Sequence, residues 1–175
     1  MLNGNTVTLR PMTTGDVHPL TELFALPEVA AWWPGENEPR LRARLAADGE
    51  GVGLVIEVDS RQIGFIQYFE EADPDYRHAT IDIVLHPDWC NRGLGTDAVH
   101  TLATHLFDDV GHHRITIDPT VSNPRAIASY RKVGFRDVGV MRRYERANDG
   151  TWRDSLLMDL LAGELAPSAP SSPGR

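Results

Sequence analysis

The stretch Leu85-His86-Pro87-Asp88-Trp89-Cys90-Asn91-Arg92-Gly93-Leu94-Gly95-Thr96 constrains this chain more than any other. An apolar run, Ile81 to Leu85, enters it, and an amphipathic run, Leu94 to Phe107, leaves it. The pattern is strand, glycine-bearing loop, helix. Such a loop presents unpaired backbone N–H groups at a helix N-terminus, where hydrogen bonding and the helix dipole together receive a phosphate or pyrophosphate. Gly93 and Gly95 suit this because a side chain would hold the anion off the backbone. Two glycines alone also fit a plain tight turn.

The rest of the chain supplies strands and helices around that loop. Thr6 to Arg10 alternates as a first strand. Thr13 to Asp16 offers helix caps, and Val17, Leu20, Leu23 and Phe24 follow at helical spacing as far as Pro27. Glu28 to Glu36 reads as a loop and Pro39 to Ala47 as a second helix. Val52 to Val58 and Gln62 to Phe69 form a hairpin about Asp59-Ser60-Arg61. Gly64 in its second strand predicts a bulge or a close backbone approach. Glu70 to Arg77 reads as an acidic loop, and Thr80 to Leu85 as the strand before the glycines. Arg114 to Asp118 is a short strand. Ser122-Asn123-Pro124 opens a helix that Gly134 closes. Two more strands follow, from Phe135 and from Trp152 to Leu160, about a turn at Asn148-Asp149-Gly150. The order β-α-α-β-β-β-α-β-α-β-β predicts a mixed α/β sheet, with one domain over residues 1–165 and a disordered tail over 166–175.

Charge and composition narrow the function. The net charge of −8 argues against a nucleic-acid backbone as the main partner and suits a cationic small molecule. No apolar run reaches about 20 residues, so no membrane span is expected. The one cysteine, Cys90, and the lack of a signal pattern point to the cytoplasm. His100 and His105 lie too far apart for one-turn metal ligation and read as surface residues. His112 and His113 read as loop or strand-start residues, and no metal site is expected.

Three features admit two readings each. Asp82 sits between Ile81 and Ile83, and a carboxylate in an apolar strand must be exposed, paired or functional. It is either solvated or a general base lining a cleft, on the face it shares with Val84. Gln67 either faces outward or hydrogen-bonds a substrate. Trp32 and Trp33 either pack their loop on the core or leave one indole as a substrate wall, with Glu36 and Glu38 adding negative charge.

The segment Asn123 to Phe135, NPRAIASYRKVGF, resembles the N-x-x-A-I-x-x-Y-x-K-x-G-F motif of the GNAT superfamily of N-acetyltransferases. The upstream glycine loop is similar to that family's acetyl-CoA pyrophosphate loop, Gln/Arg-x-x-Gly-x-Gly/Ala, with Cys90 in place of the Gln or Arg. The resemblance implies a GNAT fold: a mixed central sheet with a splayed parallel strand pair and flanking helices. It implies acetyl-CoA as cosubstrate, held by Ile83, Val84, Leu85, Cys90, Asn91, Arg92, Gly93, Leu94, Gly95, Thr96, Asn123 and Tyr130. Arg92 would supply the charge that Cys90 lacks, and Cys90 itself has no paired base to make it a nucleophile.

A narrower resemblance, to aminoglycoside 6'-N-acetyltransferases, rests on Val7 to Asp16, on Val29 with Trp32 to Glu36, and on Gly64 with Gln67, Asp82, Asp118 and Asn123. It implies Asp82 as catalytic base and Tyr130 as the acid that protonates the departing thiolate. It also implies Trp32, Trp33, Glu36, Gln67, Asp82 and Asp118 as substrate residues. The expected reaction is acetylation of an aminoglycoside amine, conferring resistance. The 6'-amine is favoured over the 2'-amine of a kasugamycin-type substrate. The rival expectations are acylation of a protein N-terminus, a lysine or a siderophore precursor, and a non-catalytic acyl-CoA-binding module. A monomer or homodimer is expected.

Overall fold

The computed structural model describes residues 1–45 and 51–167. The expected end of the second helix, Ala46 and Ala47, and the tail from 168 lie outside them. The strands are β1 (Leu2–Asn3), β2 (Thr8–Pro11), β3 (Val52–Val58), β4 (Arg61–Glu71), β5 (His78–Leu85), β6 (Arg114–Ile117), β7 (Arg136–Arg146) and β8 (Trp152–Leu161). The helices are α1 (Val17–Ala25), α2 (Pro27–Ala30), α3 (Glu38–Arg44), α4 (Leu94–Asp108) and α5 (Pro124–Val133). The strands form one sheet in the order β1-β2-β3-β4-β5-β6-β8-β7.

Alternation along the strands divides the core between the two sheet faces. Ile81, Ile66 and Ile56 pack on α4 and α5 through Ala98, Leu102, Leu106, Ile127 and Val133. Val84, Phe65 and Val55 pack on α1 and α3 through Leu20, Phe24 and Leu41. Each fully buried side chain of this size contributes about 1.5–3 kcal/mol. Asp82 shares the second face with Val84, as its place in the strand requires.

All neighbouring strands are antiparallel except β5 and β6. Their parallel pairing covers only Ala79 with Ile115 and Thr80 with Thr116. Beyond Thr80, β5 continues to Leu85 with no ladder on that edge, so the sheet is split there. On its other edge β5 lies so close to β4 that a Cβ on Gly64 would overlap the Val84 carbonyl oxygen. The register slip between Ile56 and Glu57 lies opposite the same place, so Gly64 marks both a bulge and a close approach.

Several local expectations change. The region after α1 is not all loop, because Pro27 occupies the first turn of a short helix. β4 and β5 run further than their apolar runs and shorten the acidic loop between them. His112 is buried, with Nε2 2.7 Å from a Glu70 carboxylate oxygen. His100 is half-buried against the segment after β8, where its Nε2 lies 2.8 Å from the Ala166 carbonyl oxygen. Ala166 also donates its N–H to Val133, so the packed chain reaches past residue 165.

Candidate active site

The glycine loop forms one wall of a cleft of about 910 Å³. Asn91 and Gly93 adopt positive φ, 62° and 79°, which turns the chain sharply into α4. Gly93 caps α4 without a side-chain acceptor, so the first-turn N–H groups point outward unpaired. A Cβ on Gly93 would meet nothing within 4 Å. Glycine is required there for its backbone and for the open space in front of it. Thr96 Oγ1 lies 2.8 Å from Ser129 Oγ, which ties the start of α4 to α5.

Of the residues expected to hold the cosubstrate, Ile83, Val84, Leu85, Cys90, Asn91, Gly93, Gly95, Thr96, Asn123 and Tyr130 line this cleft. Leu94 does not, because its side chain is buried in the core. Arg92 does not either; its guanidinium stacks over Trp89 at 5.1 Å. Arg125 and Lys132 of α5 line the cleft as well, and the sequence reading did not single them out. Asn123 Oδ1 accepts the Ala126 N–H as helix cap, which leaves its amide N–H groups for the cleft. Among the described residues, Cys90 Sγ reaches only the His86 carbonyl, at 3.7 Å.

A second cavity, of about 380 Å³, adjoins the cleft and shares Trp32, Trp33, Ile83, Asn123, Ala126 and Tyr130 with it. Asp82 enters it from β5, Gln67 from β4, and Asp118 from the end of β6. Tyr130 comes from the opposite sheet face and reaches the same cavity. The split between β5 and β6 is what lets side chains of both faces meet.

Electrostatics in this cavity are unusual. Burial holds the Asp82 carboxyl above the ordinary carboxylate range; the Gln67 hydrogen bond and the Arg44 charge oppose the shift in part. Asp118 is pushed up to about 6, first by burial and then by the Asp82 charge. The Tyr130 phenol is raised by burial, with Asp82 and Asp118 adding to it, so it is neutral at pH 7. Gln67 Nε2 donates to Asp82 at 3.0 Å, while Gln67 Oε1 is buried without a hydrogen-bond partner.

The other expected substrate residues divide. Glu36 lines the cavity, but Arg44 holds it at 2.6 and 2.9 Å, which consumes most of its charge. Glu38 points away and pairs with Arg42. Trp33 is half-buried, tilted against Phe24 at 5.1 Å and edge-on to Phe65 at 6.4 Å, and it also lines both cavities. Trp32 lies under the Arg153 guanidinium at 5.8 Å and forms a cavity wall. Tyr144 and Glu145 of β7 also line the cavity; the sequence reading missed both. Among the described residues no group of acidic, His or Cys side chains could hold a metal.

A cleft on a helix N-terminus, joined to an acidic pocket, describes a site for an anionic donor and a cationic acceptor. Residues 6–136 match the family model for an acetyltransferase (GNAT) domain. The chain belongs to the GNAT acetyltransferase family. This GNAT protein is 30% identical to aminoglycoside N(6')-acetyltransferase type 1 of Klebsiella pneumoniae over 159 residues, covering 79% of this chain and 78% of that one. It is 24% identical to spermidine N(1)-acetyltransferase of Escherichia coli K12, covering 90% and 87%. The crystal structure of the aminoglycoside acetyltransferase AAC(6')-Ib with coenzyme A and kanamycin superposes with a TM-score of 0.74 at 26% identity, covering 90% of this chain and 95% of that one. The GNAT fold, an eight-stranded mixed sheet with one split parallel pair, is as expected.

Proposed function

We propose that this GNAT acetyltransferase moves the acetyl group of acetyl-CoA to an amine of an aminoglycoside, with the 6'-amine favoured. The observation that carries the substrate class is the pairing of Asp82 and Asp118 in one cavity. Neither has an ion-pair partner among the described residues, whereas Glu36 and Glu145 are paired with Arg44 and Arg153. Two carboxylates without an ion-pair partner in one cavity suit a polyammonium ligand. The similarity to aminoglycoside acetyltransferases supports the same reading. A polyamine such as spermidine is the second reading, favoured by the 24% identical relative.

The donor's pyrophosphate is assigned to the N–H groups at the start of α4, with Arg125 and Lys132 supplying charge. Its pantetheine arm is assigned to the open edge of β5 from Ile83 to Leu85 and to the Asn123 amide. The acceptor arrives as an ammonium ion and must lose a proton before it attacks. Asp82 takes that proton, and its raised proton affinity makes it a better base near neutral pH than an ordinary aspartate. The free amine then bonds to the thioester carbon. The oxyanion is stabilised by backbone N–H groups of the β5 edge. As the C–S bond breaks, Tyr130 gives its proton to the departing thiolate, the acylated nitrogen loses its second proton through solvent to the phenolate, and Asp82 releases the proton it took to solvent. The chemistry requires no metal, and the cytoplasm, where acetyl-CoA is available, is the proposed location.

The test is thiol release from acetyl-CoA with kanamycin, tobramycin, kasugamycin, spermidine and an N-terminal peptide as acceptors. Turnover of kanamycin and tobramycin, with the product acetylated at the 6'-amine, is the expected result. Turnover of spermidine or the peptide alone would discard the aminoglycoside assignment and keep the donor site.

A further inference from the structure

The turn that carries Trp32 is fastened from across the chain. α2 has only four residues, and the carbonyls at a helix end have no partner within the helix. The Ala30 carbonyl accepts from Asn148 Nδ2 at 2.9 Å, and the Ala31 carbonyl accepts from Arg153 Nη1 at 2.7 Å. Both donors belong to the β7–β8 hairpin. The Arg153 guanidinium then lies over the Trp32 indole, 5.8 Å from the ring centre. Trp33 packs against Phe24 and Phe65, whereas Trp32 belongs to neither apolar cluster of the core among the described residues. The N–H groups of Trp32 and Trp33 both go to the Val29 carbonyl. Those bonds fix the backbone of the turn, and the face of Arg153 fixes the Trp32 ring.

Arg153 is itself aimed by an irregularity in β7. Met141 pairs with Ser155 and Glu145 with Arg153, so β7 advances four positions while β8 advances two. Arg143 lies in the middle with φ 52°, and its N–H donates to Asp154 Oδ1 at 2.7 Å. Bulges beside active sites re-aim side chains. This one sets Glu145 directly opposite Arg153, and the two form an ion pair at 3.2 Å. Thr120 Oγ1 donates to the same Glu145 oxygen at 2.9 Å. Thr120, Glu145 and Trp32 all line the acceptor cavity, and Arg153 ties the last two together.

We propose that Arg153 is a positioning residue for the acceptor: through the Ala31 carbonyl and its stack on Trp32, it holds that indole as a wall where the donor cleft meets the acceptor cavity. The inference rests on the acetyl-transfer reading above and deepens it by naming what shapes the acceptor site. Trp32 lines both spaces. The donor has other holds assigned to it, in the α4 N–H groups, the β5 edge and Asn123. The acceptor meets Trp32 in a cavity of about 380 Å³, where a displaced indole changes much of the space. Without Arg153 the ring is free to turn, and fewer bound poses are productive. Electrostatics alone predicts the reverse. Removing a cation and unpairing Glu145 would tighten the hold on a polycation, so a weaker hold reports positioning.

The test compares wild type with Arg153→Met and Asn148→Ala, each labelled with 5-fluorotryptophan. Asn148→Ala removes the neighbouring tie to α2 and leaves the Trp32 stack intact. The Trp32 fluorine resonance, assigned from Trp32→Phe, is expected to shift or broaden in Arg153→Met only. The Trp89 resonance, beneath Arg92, should stay in place and show that the fold is kept; Arg153→Gln replaces Arg153→Met if it does not. An unmoved Trp32 resonance overturns the proposal. In kinetics with kanamycin, Arg153→Met should raise the acceptor KM about tenfold, with kcat and the acetyl-CoA KM changed less than about threefold. A fall in the acceptor KM, or an equal rise in Asn148→Ala, overturns it. Adding Arg153→Met to Trp32→Ala should cost nothing further, because Arg153 acts through that ring, and a full second loss overturns it as well. If kanamycin is not turned over, the aminoglycoside reading fails. Spermidine then takes its place in the kinetics, and the Trp32 resonance still decides whether Arg153 holds the ring.

Discussion

Gln67 and Asp82 stand directly opposite each other in the β4–β5 ladder, and the Gln67 amide donates to the Asp82 carboxylate at 3.0 Å. Strand register alone brings them together. One half of the Gln67 amide fixes the carboxylate, and the other half, Oε1, is buried without a hydrogen-bond partner. Gln67→Leu removes both. It should lower kcat/KM roughly ten- to a hundredfold, the cost of about 1–3 kcal/mol for a lost buried hydrogen-bonding group. The Gln67 hydrogen bond lowers the Asp82 proton affinity. Its loss should therefore move the acid limb of the pH–rate profile to higher pH. A limb that stays in place would separate Gln67 from the base.

Asp118 makes stability depend on pH in a specific direction. In the folded protein it titrates at about 6, against 3.8 for an aspartate free in water. The folded state binds this proton more tightly, so the stabilising contribution is complete below about pH 4 and is lost as pH rises through about 6. Asp118→Asn should therefore gain about 1–2 kcal/mol over wild type at pH 7, after allowance for partial exposure, and almost nothing at pH 4. Urea unfolding midpoints at the two pH values check this. An equal gain at both would remove the charge from the explanation.

Gly93→Ala tests the glycine loop. Its φ of 79° costs a residue with a Cβ about 1 kcal/mol, and no atom stands near enough to clash. The variant should fold with a melting temperature only a few degrees lower. Its coenzyme A affinity should drop at least tenfold by calorimetry, because the methyl group occupies the space assigned to the pyrophosphate. Unchanged affinity would move the anion elsewhere.

Tyr130→Phe isolates the phenol. The ring packs on Phe135 at 6.2 Å and belongs to the core, so the variant keeps its packing. The turnover rate should fall roughly a hundredfold with coenzyme A affinity retained. A full turnover rate would exclude Tyr130 as the acid and leave solvent in that role.

The donor half of the site was legible because its signals are local. Glycines at a helix start, an Asn-Pro cap and four-residue apolar spacing are each read within a dozen residues. The facing of Asp82 followed from alternation in one strand. Tyr144 and Glu145 could not be found this way, because they reach the cavity through a break in alternation that Asp154 of the neighbouring strand sustains. The Glu36 pairing with Arg44 and the burial of His112 against Glu70 likewise depend on contacts across the chain. Arg92 was placed from its neighbours in sequence, whereas its position is fixed by the face of Trp89.

The parting of β5 from β6 has an evolutionary consequence. On one side of the gap the walls are regular elements, α4, α5 and the exposed edge of β5, whose shape is fixed by the core they help to pack. On the other side they are the turn at Trp32, the end of β6 and the bulge of β7, which contribute little to that core. Mutation can therefore exchange the acceptor while leaving the donor apparatus intact. On the proposed reading, a change at Asp118 is a change of clientele, made without rebuilding the machine that serves it.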